Sequence, residues 1–200
     1  MEVKEPVIFR EKDEMRKWSR SMRSQGKTIG LVPTMGYLHQ GHLSLVEETH
    51  KHAEVVVVSI YVNPGQFSPS EDLSTYPSDF HSDILKLKGV ATSVTKLFNI
   101  VELDVAVFGK KDYQQWRIIQ RMVRGLDFGI EIVGSDIVRD SDGLALSLRV
   151  VHLSPEEREK ALSMSRSLLK AKSDAKIGLL GDELIMLRLW SGRVRLIDNI

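Results

Sequence analysis

The sequence predicts an α/β fold, a doubly wound parallel sheet with a short helical extension at its C-terminal end. Two observations predict it. Residues 55–62, Val-Val-Val-Val-Ser-Ile-Tyr-Val, form a β-branched run of the kind found in a strand covered on both faces. Residues 28–62 then read strand, helix, strand within about forty positions, which is a βαβ unit and implies a parallel pair.

The elements follow in order. Met15, Trp18 and Met22 recur at helical spacing in a charged stretch, and Gly26 supplies a stop signal. Residues 28–33 form a short buried strand. Leu43, Leu45 and Val46 lie on a helix ending near His50. After the 55–62 strand, Asn63-Pro64-Gly65 opens a polar loop running to Pro77. One helix is expected over 78–87 and another through Val94, Leu97, Phe98 and Val101. Residues 104–109 form a strand, Trp116, Ile119, Met122 and Val123 a helix ending at Gly125, and 130–133 a further strand. Ser154-Pro155-Glu156-Glu157 is a helix start, with Ser at the N-cap, Pro at the first helical position and Glu at the third. The tail beyond that helix start reads as one helix and one strand.

Composition narrows the function classes. The 200 residues carry 28 basic and 27 acidic side chains, a net charge of +1, which provides no field for nucleic acid or an anionic membrane. No apolar run reaches membrane-spanning length. Cysteine is absent, so disulfides and thiolate metal sites are excluded. The charged opening residues 1–5 lack an apolar signal core, and a cytoplasmic protein is expected.

The segment that carries chemistry is Pro33-Thr34-Met35-Gly36-Tyr37-Leu38-His39-Gln40-Gly41-His42-Leu43. It follows the first sheet strand and opens a helix, where open α/β sheets bind ligands. His39 and His42 are three residues apart and face one way if the turn is helical. Two imidazole donors beside a helix N-terminus can stabilise a phosphate whose charge grows in a transition state. By spacing alone the pair also fits a surface loop. A metal pair is a third reading, but no local carboxylate or Cys completes such a site. His50, His52, His81 and His152 read as solvated or capping residues. Lys111-Asp112 at a strand-to-helix junction suits a nucleotide, or equally an exposed ion pair with an N-cap. Asn63 and Gln66 alone read as turn residues, and Arg117, Arg121 and Arg124 as a solvated face.

The HxGH segment together with later blocks resembles the pantothenate synthetase (pantoate–β-alanine ligase) family of HxGH nucleotidyltransferases. Those blocks are residues 58–67, 71–77, 94–101, 108–115, 142–145 and 195–199, and they span nearly the whole chain. The resemblance implies a Rossmann-like domain over 1–153 and a reduced C-terminal lid over 154–200. It implies condensation of pantoate with β-alanine through pantoyl adenylate, with ATP (as Mg-ATP) split to AMP and pyrophosphate. No metal cluster or organic prosthetic group is expected. The implied partners are these small molecules and a second copy of the chain in a homodimer, with neither nucleic acid nor membrane.

Carried over residue by residue, His39 and His42 would contact the ATP phosphates, and Lys111 would sit near phosphate with Asp112 near the ribose. Ser147 and Arg149 would close the phosphate site from the opposite side, and these two with His39, His42 and Lys111 form the implied catalytic set. Pro33, Met35 and Gly109 would line the nucleotide site. Met35, Asn63, Gln66 and Gln115 would hold pantoate.

The chain departs from the family pattern in three places. It is shortened near 88–89, where the family has a long intervening stretch, so apolar sheet surface should be left exposed. The family's Met-Ser-Ser-Arg-Asn loop stands here as Leu146-Ser147-Leu148-Arg149-Val150, with one hydroxyl and one amide lost. The C-terminal segment is short for a lid. An inactive or weakly ATP-binding chain, acting at most as a dimer partner, is the alternative these departures raise.

Overall fold

The computed structural model describes residues 5–61, 80–147, 150, 153–174, 186–191 and 194–199. Its centre is a four-stranded parallel sheet of order β2-β1-β3-β4, built from β1 (Ile29–Thr34), β2 (Val55–Ile60), β3 (Val105–Gly109) and β4 (Glu131–Ser135). The helices are α1 (Lys12–Ser24), α2 (Gln40–Thr49), α3 (Phe80–Val101), α4 (Tyr113–Gly125) and α5 (Pro155–Asp174). Right-handed crossovers fix their sides. The chain steps outward from β1 to β2 through α2, then reverses through α3 to β3 and continues through α4 to β4, so α2 lies on one face and α3 and α4 on the other. The sheet is doubly wound, as expected.

Alternation along β1 and β3 fills both layers. Ile29, Leu31, Ala106 and Phe108 pack with Met15 of α1, Val94, Phe98 and Val101 of α3, and Ile119 and Val123 of α4. On the opposite face Gly30 lies under Thr49 and Ala53 at the end of α2, so closely that any side chain at 30 would collide with them. Asp104 ties the amino ends together: its carboxylate accepts from the Ile29 N–H (2.8 Å) and pairs with Arg23 of α1 (2.9 Å).

Three expectations need correction. The 55–62 strand is not covered on both faces. As β2 it is the sheet edge, with Val58 37% and Ile60 66% exposed, and Tyr61 just beyond it 50% exposed. The two helices expected over 78–101 are one 22-residue helix, α3. Gly89 lies inside it, and an interior glycine costs a helix only about 1 kcal/mol without a proline to stop it. The tail holds two strands where one was expected, β5 (Met186–Ser191) and β6 (Val194–Asn199), paired antiparallel and packed against α5. The α5 start is as read: Ser154 Oγ accepts from the Glu157 N–H (3.2 Å) and Glu157 Oε2 from the Ser154 N–H (2.9 Å).

Candidate active site

The order of the sheet reverses between β1 and β3, so the crevice beyond their carboxyl ends is the expected ligand position. A proline opens it. In β1 the odd-numbered residues turn their backbone groups toward β3, as the Ile29 carbonyl accepting from Asp104 N–H shows (2.9 Å). Pro33 faces β3 in the same way but has no N–H, and the β1–β3 pairing extends only over Gly30↔Val105 and Leu31↔Ala106. The two strands therefore part where the site begins. Thr34 Oγ1 then donates to the Ser59 carbonyl (2.8 Å) and accepts from the Gly36 N–H (3.3 Å). This anchors a loop in which Gly36 (φ 97°) and Tyr37 (φ 47°) both take left-handed conformations.

The loop ends at the histidine pair. His39 is the N-cap of α2, and its Nδ1 accepts from the Gly41 N–H (3.1 Å). The His39 N–H in turn donates to His42 Nδ1 (3.3 Å). With both Nδ1 atoms accepting, each neutral ring carries its proton on Nε2. The pair therefore offers two Nε2–H donors from rings whose centroids lie 4.1 Å apart. Burial holds both rings below the ordinary histidine pKa, and for His39 the neighbouring His42 and the positive charge of Lys111 push the same way. Gly41 is required for this arrangement, since a Cβ there would stand 2.9 Å from His39 Cε1.

The other walls come from distant parts of the chain. Gly109 ends β3, and Lys110–Asp112 forms a 3₁₀ turn leading into α4. Lys110 pairs with Asp136 beyond β4 (2.7 Å). Lys111 lies near enough to His39 for its charge to act on that ring. Asp112 stands at the N-cap of α4 without a side-chain capping bond, and Gln115 is in the first turn of α4. Strand β6 packs beside the 3₁₀ turn. On the far side of the histidines, a Cβ on Gly41 would lie 3.9 Å from Leu146 Cβ, which brings the segment ending in Ser147 against the start of α2. Pro33 and the half-exposed Met35 complete the β1 side.

The structure thus brings His39, His42 and Leu146, the residue before Ser147, together at the start of α2, with Lys111 acting on His39. Pro33, Met35, Gly109, Asp112 and Gln115 lie at the carboxyl ends of β1 and β3 or in the segments that follow them. Asn63, Gln66 and Arg149, expected there too, lie outside the described residues, as does Leu148. Val150 is described and is buried, packed with Leu144, Ala161, Leu162 and Met164. The sequence reading missed the role of Thr34, although a Thr at a strand end two residues before a Gly signals such a turn. His50 caps α2 at its C-terminal end and is exposed, and His52 lies 3.4 Å from Glu48, so neither enters the site. Among the described residues no cluster of three His, Cys, Asp or Glu side chains could hold a metal, and no helix is long and apolar enough to cross a membrane.

A parallel α/β sheet with a histidine-capped helix at its reversal point and a lysine across the crevice defines a protein of the nucleotidyltransferase type. Comparison with known proteins narrows this. The family Pantoate-beta-alanine ligase matches residues 7–88 and 85–184. The pantoate--beta-alanine ligase of Lotus japonicus is 51% identical over 242 residues, covering 86% of this chain and 79% of its own. That of Arabidopsis thaliana is 53% identical, covering 87% and 78%. The crystal structure of the pantoate-beta-alanine ligase of Francisella tularensis, complexed with beta-gamma ATP and beta-alanine, superposes with a TM-score of 0.76 at 27% identity, covering 98% of this chain and 97% of that one. The chain belongs to the pantoate–β-alanine ligase family. The Lotus alignment runs over 242 positions, more than 86% of a 200-residue chain can fill, so the relative carries a stretch without counterpart here. The two family segments meet at 85–88, inside α3.

Proposed function

We propose that the chain condenses pantoate with β-alanine at the expense of ATP. The pantoate carboxylate attacks the α-phosphorus and pyrophosphate leaves, giving pantoyl adenylate. The β-alanine amine then attacks the acyl carbon and loses a proton, the acyl C–O bond to the phosphate breaks, and AMP leaves with its electron pair. The single observation that carries this reading is the pair of Nε2–H donors fixed by backbone capping beside Lys111. Neutral donors held in place before the reaction stabilise charge that develops on phosphate oxygens without reorganising. Phosphoryl chemistry of this kind needs positioning and charge more than a protein nucleophile.

In this reading His39, His42, Lys111, Ser147 and Arg149 act on the phosphates of Mg-ATP. Pro33, Met35 and Gly109 line the nucleotide, and Asp112 meets its ribose. Met35, Asn63, Gln66 and Gln115 hold pantoate. Residues 1–153 bind the substrates, and 154–200 act as a short lid beside the Lys110–Asp112 turn. The protein works in the cytoplasm as a homodimer.

The test is AMP release by the purified chain with ATP, pantoate and β-alanine, each omitted in turn. Release that requires all three is expected, and no release above the blank refutes the proposal. Leu148→Ser, which restores the hydroxyl of the family's loop, is expected to raise the rate, since one donor at such a site is worth about 10²–10³.

A further inference from the structure

Leu146, which meets the start of α2 just before Ser147, ends a hairpin over residues 138–146, and its hydrogen bonds show what holds it. Leu146 N–H donates to the Val138 carbonyl (2.9 Å), Asp140 N–H to Leu144 (2.8 Å) and Gly143 N–H to Asp140 (2.9 Å). Arg139 and Ala145 form a bridge, and Gly143 turns at φ 94°. This hairpin is tied to α5 from outside. Arg158, one turn into α5, donates from Nε to Asp142 Oδ2 (2.7 Å) and from Nη2 to Asp140 Oδ2 (2.7 Å). The remaining carboxylate oxygens are also engaged: Asp140 Oδ1 accepts from Ser141 N–H (2.8 Å) and Asp142 Oδ1 from Leu144 N–H (3.1 Å). Arg139 reaches the Gly143 carbonyl (3.0 Å) and Ser165 of α5 (3.3 Å). Leu144 at the tip and Val150 beyond it bury against Ala161, Leu162 and Met164 of α5.

We infer that Arg158 is a positioning residue for the proposed reaction. By bridging Asp140 and Asp142 it fixes the hairpin, and through the hairpin it sets Leu146 and Ser147 against the His39–Gly41 turn. The inference rests on the proposed function, because it gives Ser147 its place at the phosphates. A planar guanidinium spans two carboxylates in one geometry, which a lysine ammonium cannot do. The same contacts place α5 and the phosphate-side loop on one rigid unit. The position of the C-terminal segment is thereby coupled to the site rather than merely appended to it.

Arg158→Gln, Arg158→Lys and Asp142→Asn separate this role from a structural one, with thermal melting to confirm that each variant folds. In Arg158→Gln, hydrogen exchange at the Gly143, Leu144 and Leu146 amides is expected to rise about 10-fold, while that of Val107 in β3 stays unchanged. Its kcat for AMP release should fall ~10- to ~100-fold with the KM for pantoate within about twofold, the cost of a small misplacement. Arg158→Lys should recover part of kcat, and Asp142→Asn should resemble Arg158→Gln. Unchanged exchange at Leu146 in all three variants overturns the clamp. Raised exchange with unchanged kcat overturns the positioning role. A parent chain that releases no AMP overturns the proposed function and the positioning role together, and the exchange data then still decide whether Arg158 holds the hairpin.

Discussion

Replacing Gly41 by alanine tests whether the capped histidine geometry is what the proposed reaction uses. The new Cβ would stand 2.9 Å from His39 Cε1 and 3.0 Å from Nδ1. Such distances are too short for contact, so the imidazole must swing away and give up the bond it accepts from residue 41. Loss of an N-cap bond costs about 1 kcal/mol. Alanine in place of glycine in a helical turn returns about 1 kcal/mol. The two effects nearly cancel, and for a chain of this size the melting temperature should move by no more than about 4 °C. Activity has no such offset. One of two pre-aimed donors leaves the site, which is worth about 10²–10³ in rate. AMP release under saturating substrates, paired with a thermal melt on the same sample, separates the two quantities. A Gly41→Ala chain that keeps the parent rate, or one that loses rate only by unfolding, refutes the reasoning.

Other consequences follow from the same structure. His39 and His42 have depressed pKa values in the folded state, so their neutral form is the one folding favours. Their contribution to stability is complete above the ordinary histidine value near 6.5 and is lost as pH falls through the lower folded values, so melting temperature and AMP release should both decline on acidification below about pH 6.5, and His39→Gln should flatten part of that decline. Ser19 Oγ is fully buried in α1 and is among the described side chains without a hydrogen-bond partner, so Ser19→Ala should raise stability by about 1 kcal/mol in a denaturant titration. Gly134 of β4 lies against the Trp116 ring, where a Cβ would come within 2.6 Å, so Gly134→Ala should displace the indole and lower stability by about 1–3 kcal/mol.

Much of this arrangement was legible in residue order because the relevant physics is local. The β-branched run at 55–60, the Ser154–Glu157 capping box and the helical spacing of Met15, Trp18 and Met22 each specify an element through neighbours a few positions away. The HxGH turn is of the same kind: two histidines, a glycine between them and a helix start form the donor pair almost unaided. The 78–101 stretch shows the limit of that reasoning. Two apolar clusters read as two helices there lie on one 22-residue helix, into which the junction of the two family segments falls.

The sequence by itself determined the parallel α/β class, the histidine turn and the family. Only the tertiary structure decided that β2 is an edge with Ile60 66% exposed, that Pro33 parts β1 from β3, and that Leu146, the residue before Ser147, arrives beside Gly41. It also decided that Arg158 holds the hairpin that delivers it. The reason is range: strand order, crevice opening and ion pairs join residues far apart in the chain, and the fold alone sets the distances between them.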